Sequence, residues 1–254
     1  MIDLSSAFHK NGLCFLTEEK DEHSALYLKV RQAEHRVLSD EQVSKLPKTE
    51  KNHSLAKDWK LRTNTLHRFT TYLNKSKKPL TILEIGCGNG WFSHQLSLLP
   101  NAKQVLGLDV NTEELTQANR VFKHPNLQFV YADIFELDNP FENQFDLVVL
   151  NASIQYFPDL EILFSKLKTF LKPKGEVHCI DSPFYDSSEL ESAKERSAQY
   201  YKTLGFPEMK AHYFHHLKTD LKAFECLYTP PKRSILAYFD SKKSIFPWYR
   251  FVSD

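Results

Sequence analysis

The segment Leu80-Thr81-Ile82-Leu83-Glu84-Ile85-Gly86-Cys87-Gly88-Asn89-Gly90 holds three of the chain's seven glycines within five residues. Seven glycines in 254 residues is sparse against a usual share of ~7%. Concentrating a scarce residue implies a tight turn, or backbone lying close against a ligand. The run Leu80 to Ile85 is short and apolar, the pattern of a buried parallel strand. Downstream, Trp91, Phe92, Gln95, Leu96 and Leu99 keep a helical spacing that stops at Pro100. Strand, glycine turn and helix in this order open a doubly wound α/β unit, whose ligand crevice lies at the strand's carboxyl end.

The same alternation continues outward. Gln104 to Leu108 reads as a second strand ended by Asp109, and Thr112 to Phe122 as a helix that Thr112 is placed to cap. Leu127 to Tyr131 is a third strand, running into Ala132-Asp133. Phe145 to Leu150 is a fourth, ending at Asn151. Leu160, Leu163, Phe164, Leu167, Phe170 and Leu171 form a helical stripe closed by Lys172-Pro173-Lys174-Gly175, and Glu176 to Ile180 makes a fifth strand. Alternating strands and helices predict a parallel sheet with right-handed crossovers. At ~100–200 residues per domain, the length suits one large domain or one domain with an appendage.

Two phosphate-binding motifs fail on the residues. The dinucleotide fingerprint G-x-G-x-x-G, started at Gly86, requires glycine where Trp91 stands. A P-loop requires Gly-Lys-Ser/Thr where the chain has Gly-Trp-Phe. What remains is E-x-G-x-G-x-G on a strand-to-helix turn, with an acid at the end of the next strand. An acid there can accept hydrogen bonds from both hydroxyls of a ribose.

Composition narrows the function classes. With 33 basic against 32 acidic side chains, the net charge of +1 gives no electrostatic case for nucleic acid or an anionic membrane. The opening MIDLSSAFHK shows no signal peptide, and no apolar run approaches the ~20 residues of a membrane span. Cys14, Cys87, Cys179 and Cys226 form no CxxC pair and have no histidine at ligand spacing. No metal site is therefore expected, and the cysteine usage fits a reducing cytoplasm.

Between about Leu80 and Gly175 these residues resemble the class I S-adenosylmethionine-dependent methyltransferases. LEIGCGNG is similar to the family's first motif, which implies cofactor contacts for Glu84, Gly86, Cys87 and Gly88. Asp109 followed by Val110, in GLDVN, resembles the ribose-binding acid and its neighbour. Asp133-Ile134 resembles the pair facing the adenine edge, FDLVVLNASIQYFPD the fourth-strand motif containing Asn151, and LKPKGEV the turn into strand five. The resemblance implies a Rossmann-like, seven-stranded, mostly parallel sheet with an antiparallel last strand, for which Phe246 to Val252 is the candidate. It also implies S-adenosylmethionine as cofactor and S-adenosylhomocysteine as product. Family members commonly place N-terminal helices over the cofactor crevice. Residues 1–75 are thus expected to form a helical extension or lid, using Tyr27, Arg31, Trp59 and Arg62, ahead of a methyltransferase domain at 76–254 with an acceptor-site insertion at 184–224.

Each site residue has a plainer alternative. Glu84 reads otherwise as a strand-end charge, although an acid in an apolar strand is costly unless satisfied. Asp109 reads otherwise as a helix cap, Asp133 as a loop acid, and Asn151 as a strand terminator. A Cβ at Gly86 or Gly88 is expected to intrude on the cofactor's amino-acid portion. Cys87 reads as a small packing residue with no base beside it in sequence. The loop from Asn151 to Tyr156 lacks the paired prolines of the Asn-Pro-Pro-Tyr motif, which argues against methylation of amide or base nitrogens. His215 and His216, beside Tyr213 and Phe214, are the candidates for a catalytic base. The expectation is methyl transfer to a small molecule by a cytoplasmic monomer or homodimer, without nucleic acid or membrane partners. The alternatives are a non-catalytic nucleoside-cofactor-binding regulatory domain and an NAD-type oxidoreductase.

Overall fold

The computed structural model describes residues 2, 4, 7–50, 52–138, 141–231 and 244–254. Parts of the expected N-terminal extension (1, 3, 5, 6 and 51) and of the expected 76–254 domain (139, 140 and 232–243) lie outside the described residues. The chain begins with strands β1 (Phe8–Lys10) and β2 (Leu13–Phe15), then helices α1 (Asp21–Ala33), α2 (Asp40–Ser44) and α3 (Ala56–Leu73). The alternating part follows: β3 (Leu80–Ile85), α4 (Trp91–Ser97), β4 (Ala102–Asp109), α5 (Thr112–Val121), β5 (Leu127–Tyr131), β6 (Phe145–Asn151), α6 (Leu160–Phe170) and β7 (Leu171–Ile180). Helix α7 (Ser187–Leu204) and strands β8 (Glu225–Tyr228) and β9 (Trp248–Val252) complete it.

Among the described residues the strands form one sheet in the order β1-β2-β5-β4-β3-β6-β7-β9-β8. The seven from β5 to β8 are the expected mostly parallel set. Strand β9 runs antiparallel to β7, within the segment expected for the last strand. The count is nine because the N-terminal segment is not helical throughout. Asn11 (φ 52°) and Gly12 (φ 78°) turn β1 back on β2, and β2 pairs in parallel with β5. Leu13 and Phe15 are buried on the same side, with half-buried Cys14 between them, which sets that register.

Alternate residues of the central strands feed two cores. On one side Leu83, Leu106 and Val148 meet the α6 stripe of Leu163, Leu167 and Phe170. On the other, Ile82 and Val105 meet Phe69 of α3, Phe92 of α4 and Leu115 of α5. A third, smaller core joins Val30 of α1 to Tyr201 of α7 and to Met209. Helix α1 and the 184–224 segment thus pack on one another. Two local expectations change. Asn111, not Thr112, caps α5, its side chain accepting from the Glu114 N–H at 3.0 Å. The predicted turn at Lys172 to Gly175 is drawn into the irregular start of β7, where Lys174 adopts φ 61°. No described helix is long and apolar enough to cross a membrane.

Candidate functional site

Four adjacent strands, β5-β4-β3-β6, deliver a polar side chain to a single cavity of about 540 Å³ at their carboxyl ends. These are Asp133 just beyond β5, Asp109 ending β4, Glu84 within β3 and Asn151 ending β6. Gly86, Cys87, Gly88, Val110 and Ile134 line the same cavity. It is the crevice expected outside the strand ends of an open α/β sheet.

Glu84 is 1% exposed. Its carboxyl accepts from the Ser93 hydroxyl of α4, and burial pushes its pKa up to about 8. Asn151 also approaches Glu84, while its own Oδ1, buried at the cavity, accepts from no described group. An orphaned buried acceptor beside an acid suits a cationic amino group, since it otherwise forfeits its hydration without compensation. Nδ2 of Asn111 is similarly buried without a hydrogen-bond partner among the described residues, and Asn111 also lines the cavity.

Asp109 accepts from the Gly88 N–H at 2.7 Å through one oxygen and from the Asn111 N–H at 2.9 Å through the other. It therefore ties the glycine loop to the head of α5, and each oxygen keeps a lone pair for a hydroxyl donor. Burial raises its pKa, opposed by these backbone donors. Glu114, in the first turn of α5, stands close by and is the main cavity residue that sequence reasoning missed. Burial, reinforced by Asp109, pushes it up to about 7, with the Arg31 cation acting the other way. Its signal is a first-turn acid three residues after a capping asparagine. Asp133 accepts from the Phe135 N–H at 3.0 Å, and buried Ile134 and exposed Val110 supply apolar wall.

The glycines answer mainly to the protein's own packing. At Gly86 (φ 72°) an added Cβ would lie 2.5 Å from Ser153 Cβ, and at Gly90 (φ 76°) 2.5 Å from the Phe129 ring. At Gly88 the nearest atom would be Glu114 Oε2 at 3.1 Å. At Gly86 the expected intrusion on a ligand is thus preceded by a clash within the fold, whereas at Gly88 the contact is merely tight, with the mobile end of a side chain. Cys87 is buried, and burial pushes its thiol well up, which leaves it a packing residue.

The roof comes from both segments outside the alternating core. Tyr27, Arg31, Trp59 and Arg62 all line the cavity, and Trp59 meets Trp91 edge-on at 5.4 Å. A second cavity of about 550 Å³ adjoins it, sharing Arg31, Arg62, Ala152 and Tyr156 as walls and adding Asp181 and Tyr185. The structure brings neither His215 nor His216 to a wall of either cavity. His215 Nε2 is bonded to Ser197 Oγ at 2.8 Å, and buried His216 lies 3.2 Å from the Ile154 carbonyl. Burial lowers both pKa values. Instead His212, a neighbour in the same histidine-rich run, reaches the first cavity. The described residues contain no cluster of three metal-ligating side chains.

These features agree with the relationships of the chain. A family model described as "Methyltransferase domain" matches residues 76–229. The chain is 31% identical over 118 residues to a malonyl-[acyl-carrier protein] O-methyltransferase of Halalkalibacterium halodurans, covering 43% of each protein. It is 36% identical over 94 residues to a trans-aconitate 2-methyltransferase of Deinococcus radiodurans, covering 37% of this chain and 34% of that one. The match spans less than half the length of these curated relatives. The magnesium protoporphyrin IX methyltransferase of Synechocystis PCC 6803, solved with S-adenosylhomocysteine bound, shares the fold. Its TM-score is 0.55 at 14% identity, over 91% of this chain and 95% of that one. With more than half of its residues matched by the family model, and the motif residues gathered at the strand ends, the chain belongs to the class I S-adenosylmethionine-dependent methyltransferase family.

Proposed function

We propose that this protein transfers a methyl group from S-adenosylmethionine to a small-molecule acceptor. The observation that carries this reading is the convergence of Glu84, Asp109, Asp133 and Asn151, from four neighbouring strands, on one cavity. The family membership removes the reason for an NAD-type reading. Bound there, the cofactor supplies a methyl group already activated by its sulfonium.

The chain's own residues then have to bind, orient and exclude water. Asn151 Oδ1 and Glu84 receive the cofactor's amino group, the Asp109 carboxylate its ribose hydroxyls, and Asp133 with Ile134 and Val110 its adenine. Alignment of donor and acceptor is the main demand, worth up to ~7–11 kcal/mol in well-oriented reactions. Residues 1–75 act as the lid, supported by Tyr27, Arg31, Trp59 and Arg62 on the cavity wall. The second cavity, roofed by α1 and α7, is the acceptor chamber. Its placement against the cofactor cavity, and a net charge of +1, support a small molecule over a polyanion. The four unpaired cysteines support action in the cytoplasm.

Calorimetry with S-adenosylhomocysteine and with NAD tests the cofactor; the first should bind and the second should not. Methyl-labelled S-adenosylmethionine with a fractionated cell extract tests the acceptor. Label confined to nucleic acid or protein would overturn the small-molecule reading. Cofactor binding without any turnover would favour a non-catalytic regulatory domain.

A further inference from the structure

Helix α3 presents Trp59, Arg62 and Thr65 at three-residue intervals, so the three share one face toward the strand ends. The Arg62 guanidinium lies over the Trp59 ring, 5.5 Å from its centroid, and is otherwise without a hydrogen bond or ion pair among the described residues. It lines both cavities, at the boundary between them. Neighbouring arginines are already matched. Arg36 pairs with Asp58 at 2.6 Å and with Glu34 at 3.3 Å, and Arg31 approaches Glu34 at 3.5 Å.

Beside this face of α3, and lining the same chamber, stands Asp181, directly after β7, only 7% exposed and held at φ 51°. Thr65 donates to its Oδ1 at 2.5 Å, which fixes the carboxyl in orientation. Its Oδ2 is buried without a hydrogen-bond partner among the described residues. The charges of Arg62 and, more weakly, Arg68 both act on Asp181, yet Arg62 and Asp181 form no ion pair. A chamber wall therefore carries one unmatched cation and one unmatched acceptor, in a setting where buried polar groups are almost always satisfied.

A ligand carrying only a negative charge would match Arg62 and leave Asp181 Oδ2 orphaned. An amine would do the reverse, and an apolar ligand would strand both. Resting on the methyltransferase reading above, we infer that the acceptor is a small zwitterion. Its carboxylate or phosphate docks on the Arg62 guanidinium and its ammonium on the free oxygen of Asp181. The tyrosines that line the chamber, among them Tyr27, Tyr156, Tyr185 and Tyr213, add aromatic walls with hydroxyl tips. Such walls suit a cation and its polar neighbours.

The test uses the full chain saturated with S-adenosylhomocysteine and ligand-observed NMR. The probes are amino acids and aminoalkyl phosphates, set against carboxylates, alkyl phosphates and alkylamines of the same length. Binders are expected among the zwitterions alone. The two zwitterion sets distinguish a carboxylate from a phosphate at Arg62. Removing either charge from the best binder should weaken it by at least about tenfold, as expected for one charge-assisted hydrogen bond. Arg62→Met should abolish the preference for that binder over the matching amine, and Asp181→Asn its preference over the matching acid. Both variants are compared at saturating S-adenosylhomocysteine, and Asp181, which lines the second cavity alone, should keep cofactor affinity when altered. Arg62→Lys, which keeps the charge, should restore part of the first preference. Singly charged probes binding as tightly, no zwitterion binding, or unchanged preferences in both variants would overturn the inference and leave the methyltransferase reading standing. Failure of the unaltered protein to bind S-adenosylhomocysteine would overturn both.

Discussion

Replacing Glu84 with glutamine should stabilise the cofactor-free protein at alkaline pH and leave it nearly unchanged in acid. Glu84 is 1% exposed, and its pKa is pushed up to about 8 by burial, from 4.5 in the unfolded chain. Below pH 4.5 both states carry the protonated acid, so the group contributes no pH dependence. Between pH 4.5 and about 8 the unfolded chain ionises while the folded one holds its proton, and stability falls as pH rises. Above pH 8 both are ionised and the loss is complete. At ~1.36 kcal/mol per pH unit, the whole interval amounts to about 5 kcal/mol. Glutamine keeps an oxygen to accept from Ser93 and carries no charge to desolvate. Denaturant unfolding of both proteins from pH 5 to 9 would measure the difference. The titrations of Asp109 and Glu114 occur in both chains and largely subtract. The curves should diverge steadily with pH and run parallel above about pH 8. Parallel curves throughout, or a variant less stable at pH 9, would refute the placement of Glu84 as a desolvated acid.

Other consequences follow from the same site. Asp109→Ala should weaken S-adenosylhomocysteine binding at least about tenfold, through lost charge-assisted bonds of ~1.5–3 kcal/mol each. It should also lower stability, because the Gly88 and Asn111 N–H groups lose their acceptor; calorimetry and denaturant midpoints read the two effects, and a change below twofold in affinity would leave Asp109 as a helix-anchoring residue only. Gly90→Ala should cost about 2–4 kcal/mol, combining a left-handed backbone with overpacking against Phe129, as measured by chemical denaturation. Alkylation of the native protein followed by peptide mass spectrometry should label exposed Cys226 and spare Cys87 and Cys179, whose thiols burial pushes up.

Local pattern and spacing sufficed for the alternating core. Strand β3, the glycine turn and α4 depend on contiguous residues: an apolar run, backbone that only glycine adopts readily, and a helical stripe. The acids at the strand ends were legible for the same reason, since a parallel sheet brings every carboxyl end to one crevice whatever the intervening helices do. The hairpin at Asn11-Gly12 was missed, although that dipeptide favours a two-residue turn between strands. The scattered charge of residues 1–75 instead reads as wholly helical. Strand pairing is non-local, and nothing near Leu13 and Phe15 states that the free edge of β5 awaits them.

The second cavity belongs to tertiary structure alone. Arg62 and Asp181 are far apart in sequence, and only the seating of α3 against the end of β7, held by the Thr65–Asp181 hydrogen bond, brings both to one cavity. His215 and His216 looked chemically apt by residue type, yet the packing of the segment that follows α7 turns them away from both cavities and brings His212 to the wall. Glu114 likewise reads as an ordinary first-turn acid until the fold buries it beside Asp109. Periodicity reports which face of an element is buried; what that face meets depends on how distant segments cross, and short-range pattern carries no record of that.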